Sequence, residues 1–263
     1  MVFEAYNKEI VMTQREILIE STLDHSMQPS LFYGSESDEK RPLLVGLHTW
    51  SFDRFNQIKN MLPYAEEHDF NLLLPNFRGK NTSGNPDCQK ACGSEFAKQD
   101  IKDAIDYVIA NENVDPKHIF LLGSSGGGHM ALLMAGMIPE YFEAVGAFVP
   151  ITNLSRWYDE TDKYKNGILA CCGGEDRDEM LRRSPVSYID TASKCTIKLF
   201  HGKWDPVVPF TQSVTYFEEM QKRYPEAKVY LDIFDGKHQM DMKQAIYWFL
   251  SQYKKNQITE VTG

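Results

Sequence analysis

The sequence has little of what marks secreted disulfide-rich proteins, membrane-spanning proteins or zinc proteins. Five cysteines among 263 residues are an odd set whose spacing suits neither a disulfide framework nor a zinc site. We therefore expect reduced thiols and no metal, with a Cys88–Cys92 bridge as the alternative in an oxidising compartment. No apolar run approaches the roughly 20 residues of a spanning helix, and no signal-like segment opens the chain. A soluble, cytoplasmic protein is expected, or a secreted one if a signal peptide was removed before Met1.

Long runs of positive charge are also missing. The 28 basic and 37 acidic residues give a formal net charge of −9, and a net-negative surface repels nucleic acids and anionic membranes. We expect neither as a partner. A hydrophobic fraction of 42% and a charged fraction of 25% are typical of globular proteins. The length suits a single α/β domain over residues 1–263, and the sequence leaves the oligomeric state open.

Short apolar runs alternate with helical patterns along most of the chain. Two early strands, 10–20 and 28–33, predict an antiparallel hairpin, and residues 34–40 read as a polar loop. Buried parallel strands are predicted at 43–45, 72–74, 119–122, 145–149, 197–200 and 229–234. Helical spacing recurs at 101–108 and 246–253. The alternation predicts a mostly parallel central sheet with helices on both faces.

Residues 150–185 interrupt this alternation, because they contain no clear strand. An insertion after the carboxyl end of a strand lies over the ligand crevice in such a fold. We expect a small cap or lid here, and the sequence leaves open whether it closes over substrate. Its aromatic residues Trp157 and Tyr158, together with Trp204, are candidates to line a substrate pocket, with core packing as the alternative.

The most informative stretch is 119–131, where an apolar strand runs through Gly-Ser-Ser-Gly-Gly into helix-forming residues. A nucleophilic serine on a sharp strand-to-helix turn needs small flanking residues two positions away on each side. Ser125 has Gly123 and Gly127 at those positions. Two residues before Ser124 the required glycine is replaced by Leu122. Ser125 is therefore the predicted nucleophile.

A serine hydroxyl needs a base, and in this arrangement an acid and then a histidine follow the serine along the chain. Asp205 and His238 each follow a predicted strand, which places them at the same sheet edge as Ser125. We predict Asp205 as the orienting acid and His238 as the base, with Asp235 as the alternative acid. His201, which precedes the acid loop, is interpreted as structural.

Acyl transfer also needs N–H donors for the oxyanion of the tetrahedral intermediate. The backbone N–H of Gly126, directly after the nucleophile, is one predicted donor. The second is expected from the loop after the first central strand. Trp50 is favoured there, with Thr49 as the alternative. This chemistry requires no metal and no organic cofactor.

At this point the chain resembles the α/β-hydrolase superfamily, and within it the catalytic domain of the prolyl oligopeptidase group. The resemblance is carried by the segments 76–79, 123–127, 184–188, 201–209 and 236–238. It implies the α/β-hydrolase fold and a triad at Ser125, Asp205 and His238. Three features differ from the group. We expect no room in the chain for the N-terminal β-propeller of its peptidases. The oxyanion loop reads His48-Thr49-Trp50 where many relatives have His-Gly-Gly or His-Gly-x, and Gly126 stands where peptidases often carry a bulkier residue.

These features together predict a serine hydrolase that cleaves carboxylic esters through an acyl-enzyme. Acetylated or feruloylated glycans are candidate substrates. The alternatives are a serine exo- or oligopeptidase acting on short peptides and, in another class, a non-catalytic binding protein on the same fold. The expected partner is a small or glycan-linked ester or a short peptide.

Overall fold

The computed structural model describes residues 12–35 and 38–262. Eight strands form one sheet in the order β1-β2-β4-β3-β5-β6-β7-β8. The strands are β1 Met12–Glu20, β2 Met27–Ser35, β3 Arg41–Leu47, β4 Asn71–Pro75, β5 Val114–Ser124, β6 Ala144–Phe148, β7 Ile197–Gly202 and β8 Val229–Phe234. β2 pairs antiparallel with β1 and β4, and the pairs from β4 through β3 to β8 are parallel. The sheet is therefore mostly parallel, as predicted.

Helices cover both faces of this sheet. They are α1 Ile58–Glu67, α2 Glu95–Asn111, α3 Gly126–Met137, α4 Leu154–Glu160, α5 Lys165–Cys172, α6 Arg177–Arg182, α7 Ile189–Ala192, α8 Thr211–Arg223 and α9 Met242–Thr262. The strands are apolar at consecutive positions, so one set of side chains packs against α2, α3 and α8 and the other against α1 and α9. Both predicted helical patterns are confirmed, the first within α2 and the second within α9.

The early hairpin is confirmed with altered ends. Residues 10 and 11 of the first predicted strand lie outside the described residues, and β1 is seen from Met12 onward. β2 runs to Ser35, so the predicted loop over 34–40 begins later than expected, and its residues 36 and 37 lie outside the described part. The strand continues to Ser35 because Gly34 and Ser35 pair with Thr13 and Met12 of β1.

The segment 150–185 forms three short helices, α4, α5 and α6. Their buried residues, among them Trp157 and Ile168, make a third hydrophobic cluster that includes Trp50 from the loop after β3. Cys92, Cys171 and Cys172 belong to this cluster, and all five cysteines are free thiols. The insertion is thus packed against a loop at the carboxyl edge of the sheet, and its action as a lid stays a prediction.

Every helix in the described residues is too short or too polar to cross a lipid bilayer.

Candidate active site

Ser125 lies on the sharp turn between β5 and α3, with a φ of 56° and a ψ of −119°. A non-glycine residue pays about 1–3 kcal/mol for such a conformation, so the surroundings must hold it. Two backbone hydrogen bonds do so: Ser125 N donates to Phe148 O at 2.8 Å, and His129 N donates to Ser125 O at 2.9 Å. A side chain at Gly123 would overlap the carbonyl of Gly127. The glycine spacing therefore makes the turn possible and presents Ser125 at the carboxyl end of β5.

Asp205 and His238 meet at the same edge of the sheet. Their loops follow β7 and β8 and are joined by two backbone hydrogen bonds of 2.9 Å, from Lys203 N to Phe234 O and from Trp204 N to Gly236 O. His238 Nδ1 lies 2.7 Å from Asp205 Oδ2, and the Asp205 side chain is fully buried. The structure thus brings the predicted acid and base into direct contact.

Asp235, the alternative acid, is engaged elsewhere. Its Oδ1 accepts a hydrogen bond of 2.8 Å from Trp204 Nε1. The carboxylate that contacts the His238 ring is instead that of Asp205.

A second imidazole, His201, lies against the Asp205 carboxylate. The His201 ring is completely buried, with Nε2 at 3.3 Å from Asp205 Oδ2 and 2.9 Å from Val208 O, and with Nδ1 at 2.8 Å from Ser213 Oγ. Burial alone would raise the pKa of Asp205, but hydrogen bonds with His201, His238 and the backbone N–H of Val208 outweigh it and hold that pKa well below its usual range. Asp205 is therefore a carboxylate at neutral pH.

The backbone of Trp50 lies directly beside Gly126. A Cβ atom at Gly126 would be 2.7 Å from Trp50 N, so the two backbones approach more closely than any side chain would allow. The N–H of Thr49, the alternative donor, is already bonded to Asn56 Oδ1 at 3.0 Å. The geometry thus favours Trp50 over Thr49 as the partner of Gly126.

Ser125 and His238 line one cavity of about 400 Å³. Its wall also contains Thr49, Trp50, Ser51, Phe52, Asn56, Gln57, Asn60, Ser124, Tyr164, Gln239 and Met240. Of the described residues in this wall, none is an aspartate, glutamate, lysine or arginine. Among the described residues no hydrogen bond joins Ser125 Oγ to the His238 ring, and such bonds are often long in a substrate-free site.

Comparison with known proteins matches residues 56–255 to a family model described as the prolyl oligopeptidase family. The chain belongs to this family. The relatives that the chain matches include proteins named as acylamino-acid-releasing enzymes and one named as a probable methylesterase.

A curated relative is the acylamino-acid-releasing enzyme of Rattus norvegicus, 30% identical over 168 residues that make up 59% of this chain. The match covers 22% of that relative, so the chain spans less than a quarter of its length.

Two solved structures show the fold. A puromycin-hydrolysing peptidase of Mycobacterium tuberculosis has a TM-score of 0.74 and 17% identity, with 94% of this chain and 40% of that one covered. An S-formylglutathione hydrolase of Staphylococcus aureus has a TM-score of 0.69 and 16% identity, with 92% of this chain and 98% of that one covered. The α/β-hydrolase fold expected from the sequence is confirmed.

The three aromatic residues predicted to line the pocket lie outside the cavity that holds Ser125, so this prediction is wrong. Trp157 is 1% exposed, packs edge-on against Trp50 at 5.1 Å between ring centroids and donates to Val207 O. The Tyr158 hydroxyl donates to Glu175, and the guanidinium of Arg177 lies over its ring. Trp204 is 60% exposed. Core packing explains the first, and surface contacts explain the other two.

Other residues of the site have no recognisable pattern in the sequence. Tyr164, rather than its neighbours in the insertion, reaches the cavity. The amides of Asn56, Gln57 and Asn60 carried no signal because they lie in a loop and in the first turn of a helix. The sequence indicates a structural His201 ahead of the acid loop, and the structure places it in β7, against the Asp205 carboxylate.

Proposed function

We propose that the protein hydrolyses small, uncharged carboxylic esters, with Ser125 as nucleophile, His238 as base and Asp205 as orienting acid. The observation that carries the proposal is a strained serine turn that shares one cavity with a histidine bonded to a buried carboxylate. Acyl transfer requires a nucleophile, a base and an orienting acid, and this arrangement supports Ser125, His238 and Asp205 as candidates for those roles.

In the proposed reaction Ser125 Oγ attacks the ester carbonyl while His238 takes the hydroxyl proton. Asp205 accepts from Nδ1–H, which leaves Nε2 as the basic nitrogen and stabilises the imidazolium that forms. The N–H groups of Gly126 and Trp50 hold the oxyanion, each worth about 10²–10³ in turnover. His238 then protonates the leaving alcohol. In the second half His238 takes a proton from the water that attacks the acyl-enzyme and gives it to Ser125 Oγ as the carboxylic acid leaves.

The chemistry of the cavity wall supports an uncharged substrate. A free amine or carboxylate moved from water into a pocket needs an opposite charge to offset its lost hydration. The described wall residues offer side-chain amides, hydroxyls, aromatic rings and a thioether, and no carboxylate, ammonium or guanidinium. A short neutral acyl group fits this environment. The narrower expectation of acetylated or feruloylated glycans stays a prediction.

A second candidate is the release of an N-acylated amino acid from a peptide. It is favoured by the similarity to acylamino-acid-releasing enzymes, because acylation removes the charge of the terminal amine. An uncharged cavity accepts such a blocked residue and disfavours a free amino terminus. In this case His238 would protonate an amine rather than an alcohol.

A panel of substrates tests the proposal. p-Nitrophenyl acetate and butyrate represent esters, and acetyl-alanine p-nitroanilide represents the acylated amino acid. We expect the wild type to prefer the esters in kcat/KM and Ser125→Ala to lose turnover of all of them, with the exposed Ser251→Ala variant as matched control. A higher kcat/KM for the anilide would favour the second candidate. Turnover of no substrate, with no reaction towards a fluorophosphonate, would leave the non-catalytic binding protein.

A further inference from the structure

Three side-chain amides follow one another along the wall of the cavity that holds Ser125. They belong to Asn56, Gln57 and Asn60, in the loop before α1 and in its first turn. The orientation of the first amide is fixed by the backbone, because Thr49 N is a donor and the Asn56 atom 3.0 Å from it must be the oxygen Oδ1. The orientation of the other two then follows from the hydrogen bonds between them.

Gln57 Nε2 donates to the same Asn56 Oδ1 at 3.2 Å, so Gln57 Oε1 is left to accept from Asn60 Nδ2 at 2.9 Å. Gln57 is 2% exposed and forms a fixed link between the two asparagines. The hydrogen bonds of the Asn56 side chain among the described residues are all made through its oxygen. Its NH₂ group therefore has no hydrogen-bond partner among the described residues, and Asn56 lines the cavity.

We infer that Asn56 is a specificity-determining residue whose NH₂ group donates to an acceptor oxygen of the substrate beyond the reacting carbonyl. The inference rests on the proposed function of the same cavity. Because the described wall carries no fixed charge, neutral hydrogen bonds decide which acyl group is held. A site built around a donor discriminates against a ligand that leaves this donor unpaired.

The same amide also holds the loop of the proposed oxyanion donor. Asn56 Oδ1 accepts from Thr49 N, and Thr49 directly precedes Trp50. Removal of the whole side chain would thus disturb both recognition and the loop. Asn56→Asp separates the two effects, because it keeps the oxygen that accepts from Thr49 N and replaces the NH₂ donor by a second oxygen. It also adds a negative charge, for which a control is needed.

The test compares two ligands of nearly equal shape, N-acetylglycine p-nitroanilide and pentanoic acid p-nitroanilide, which differ in the presence of an amide. Their dissociation constants are measured by calorimetry in a Ser125→Ala background, with and without Asn56→Asp. We expect the parent to prefer the N-acetylglycine ligand and Asn56→Asp to reduce that preference about tenfold, the effect of losing one buried hydrogen bond and leaving its acceptor unpaired. Asn111→Asp, an exposed amide on α2, adds the same charge and is the matched control.

A preference that stays within twofold of the parent in Asn56→Asp would overturn the inference, as would a parent with no preference. A purely structural role of Asn56 would weaken both ligands equally and leave their ratio unchanged. Because binding is measured without turnover, failure of the inference can be distinguished from failure of the proposed function, which would show itself as a wild type that hydrolyses no substrate.

Discussion

Replacing Gly126 by alanine adds a methyl group in the space between the nucleophile turn and the loop after β3. The new Cβ would lie 2.7 Å from Trp50 N and 2.8 Å from Trp50 Cα. Non-bonded heavy atoms settle at about 3.5 Å, so the Trp50 loop must retreat by on the order of 0.8 Å. The substitution therefore moves one proposed oxyanion donor away from the other.

The expected cost follows from this displacement. Misplacing a catalytic group by about 1 Å costs about 10²-fold, and losing one oxyanion donor costs about 10²–10³-fold in kcat. We expect kcat of Gly126→Ala on p-nitrophenyl butyrate to fall within that range while KM changes little, because the donor acts mainly on the transition state.

Steady-state kinetics and thermal unfolding on the same preparations provide the assay. Gly84→Ala is the matched control, since a Cβ there meets no atom within 4 Å and the variant should keep wild-type kinetics. A folded Gly126→Ala protein with kcat within threefold of wild type would refute the placement of the oxyanion donors at Gly126 and Trp50.

Other substitutions test the acid, its neighbour and the core. Asp205→Asn should lower kcat about 10⁴-fold in the ester assay, because the amide no longer fixes the ring of His238; near-normal turnover would exclude Asp205 as the orienting acid. Since the pKa of Asp205 is lowered on folding, its carboxylate stabilises the protein above the unfolded pKa of about 3.9, and this contribution is lost as pH falls through the folded pKa. The stability difference between wild type and Asp205→Asn in urea titrations should therefore shrink below about pH 4. His201→Phe should cost about 1–3 kcal/mol of stability and reduce kcat with KM little changed, and an unaltered kcat would contradict a positioning role. Arg78→Met leaves the buried Asp100 without its guanidinium and should cost about 3–5 kcal/mol, part of which Asp100→Asn should restore.

The positions of the proposed triad could be predicted because they depend on local motifs and one topological rule. The glycine spacing around Ser125 is a steric requirement of the turn, and it is readable from sequence alone. Asp205 and His238 each follow a strand of a parallel sheet, and the carboxyl ends of such strands share one edge. The fold class followed from the same alternation of buried strands and helices.

The pocket could not be predicted in the same way. Whether an aromatic residue lies in the core or in a cavity depends on how the insertion packs, and Trp157 turns inward onto Trp50 while Tyr164 reaches the cavity. The contact of His201 with Asp205 depends on the direction of a side chain at the end of a strand. The amide chain from Asn56 to Asn60 is fixed by a backbone N–H seven residues away, which no local pattern reveals.

The most direct test of the central claim is to label the wild-type protein with a fluorophosphonate and map the modified peptide by mass spectrometry. We predict one label on Ser125 and, in Ser125→Ala, no label together with a loss of ester turnover of at least about 10³-fold. A label on another residue, or a Ser125→Ala protein that keeps full activity, would contradict it.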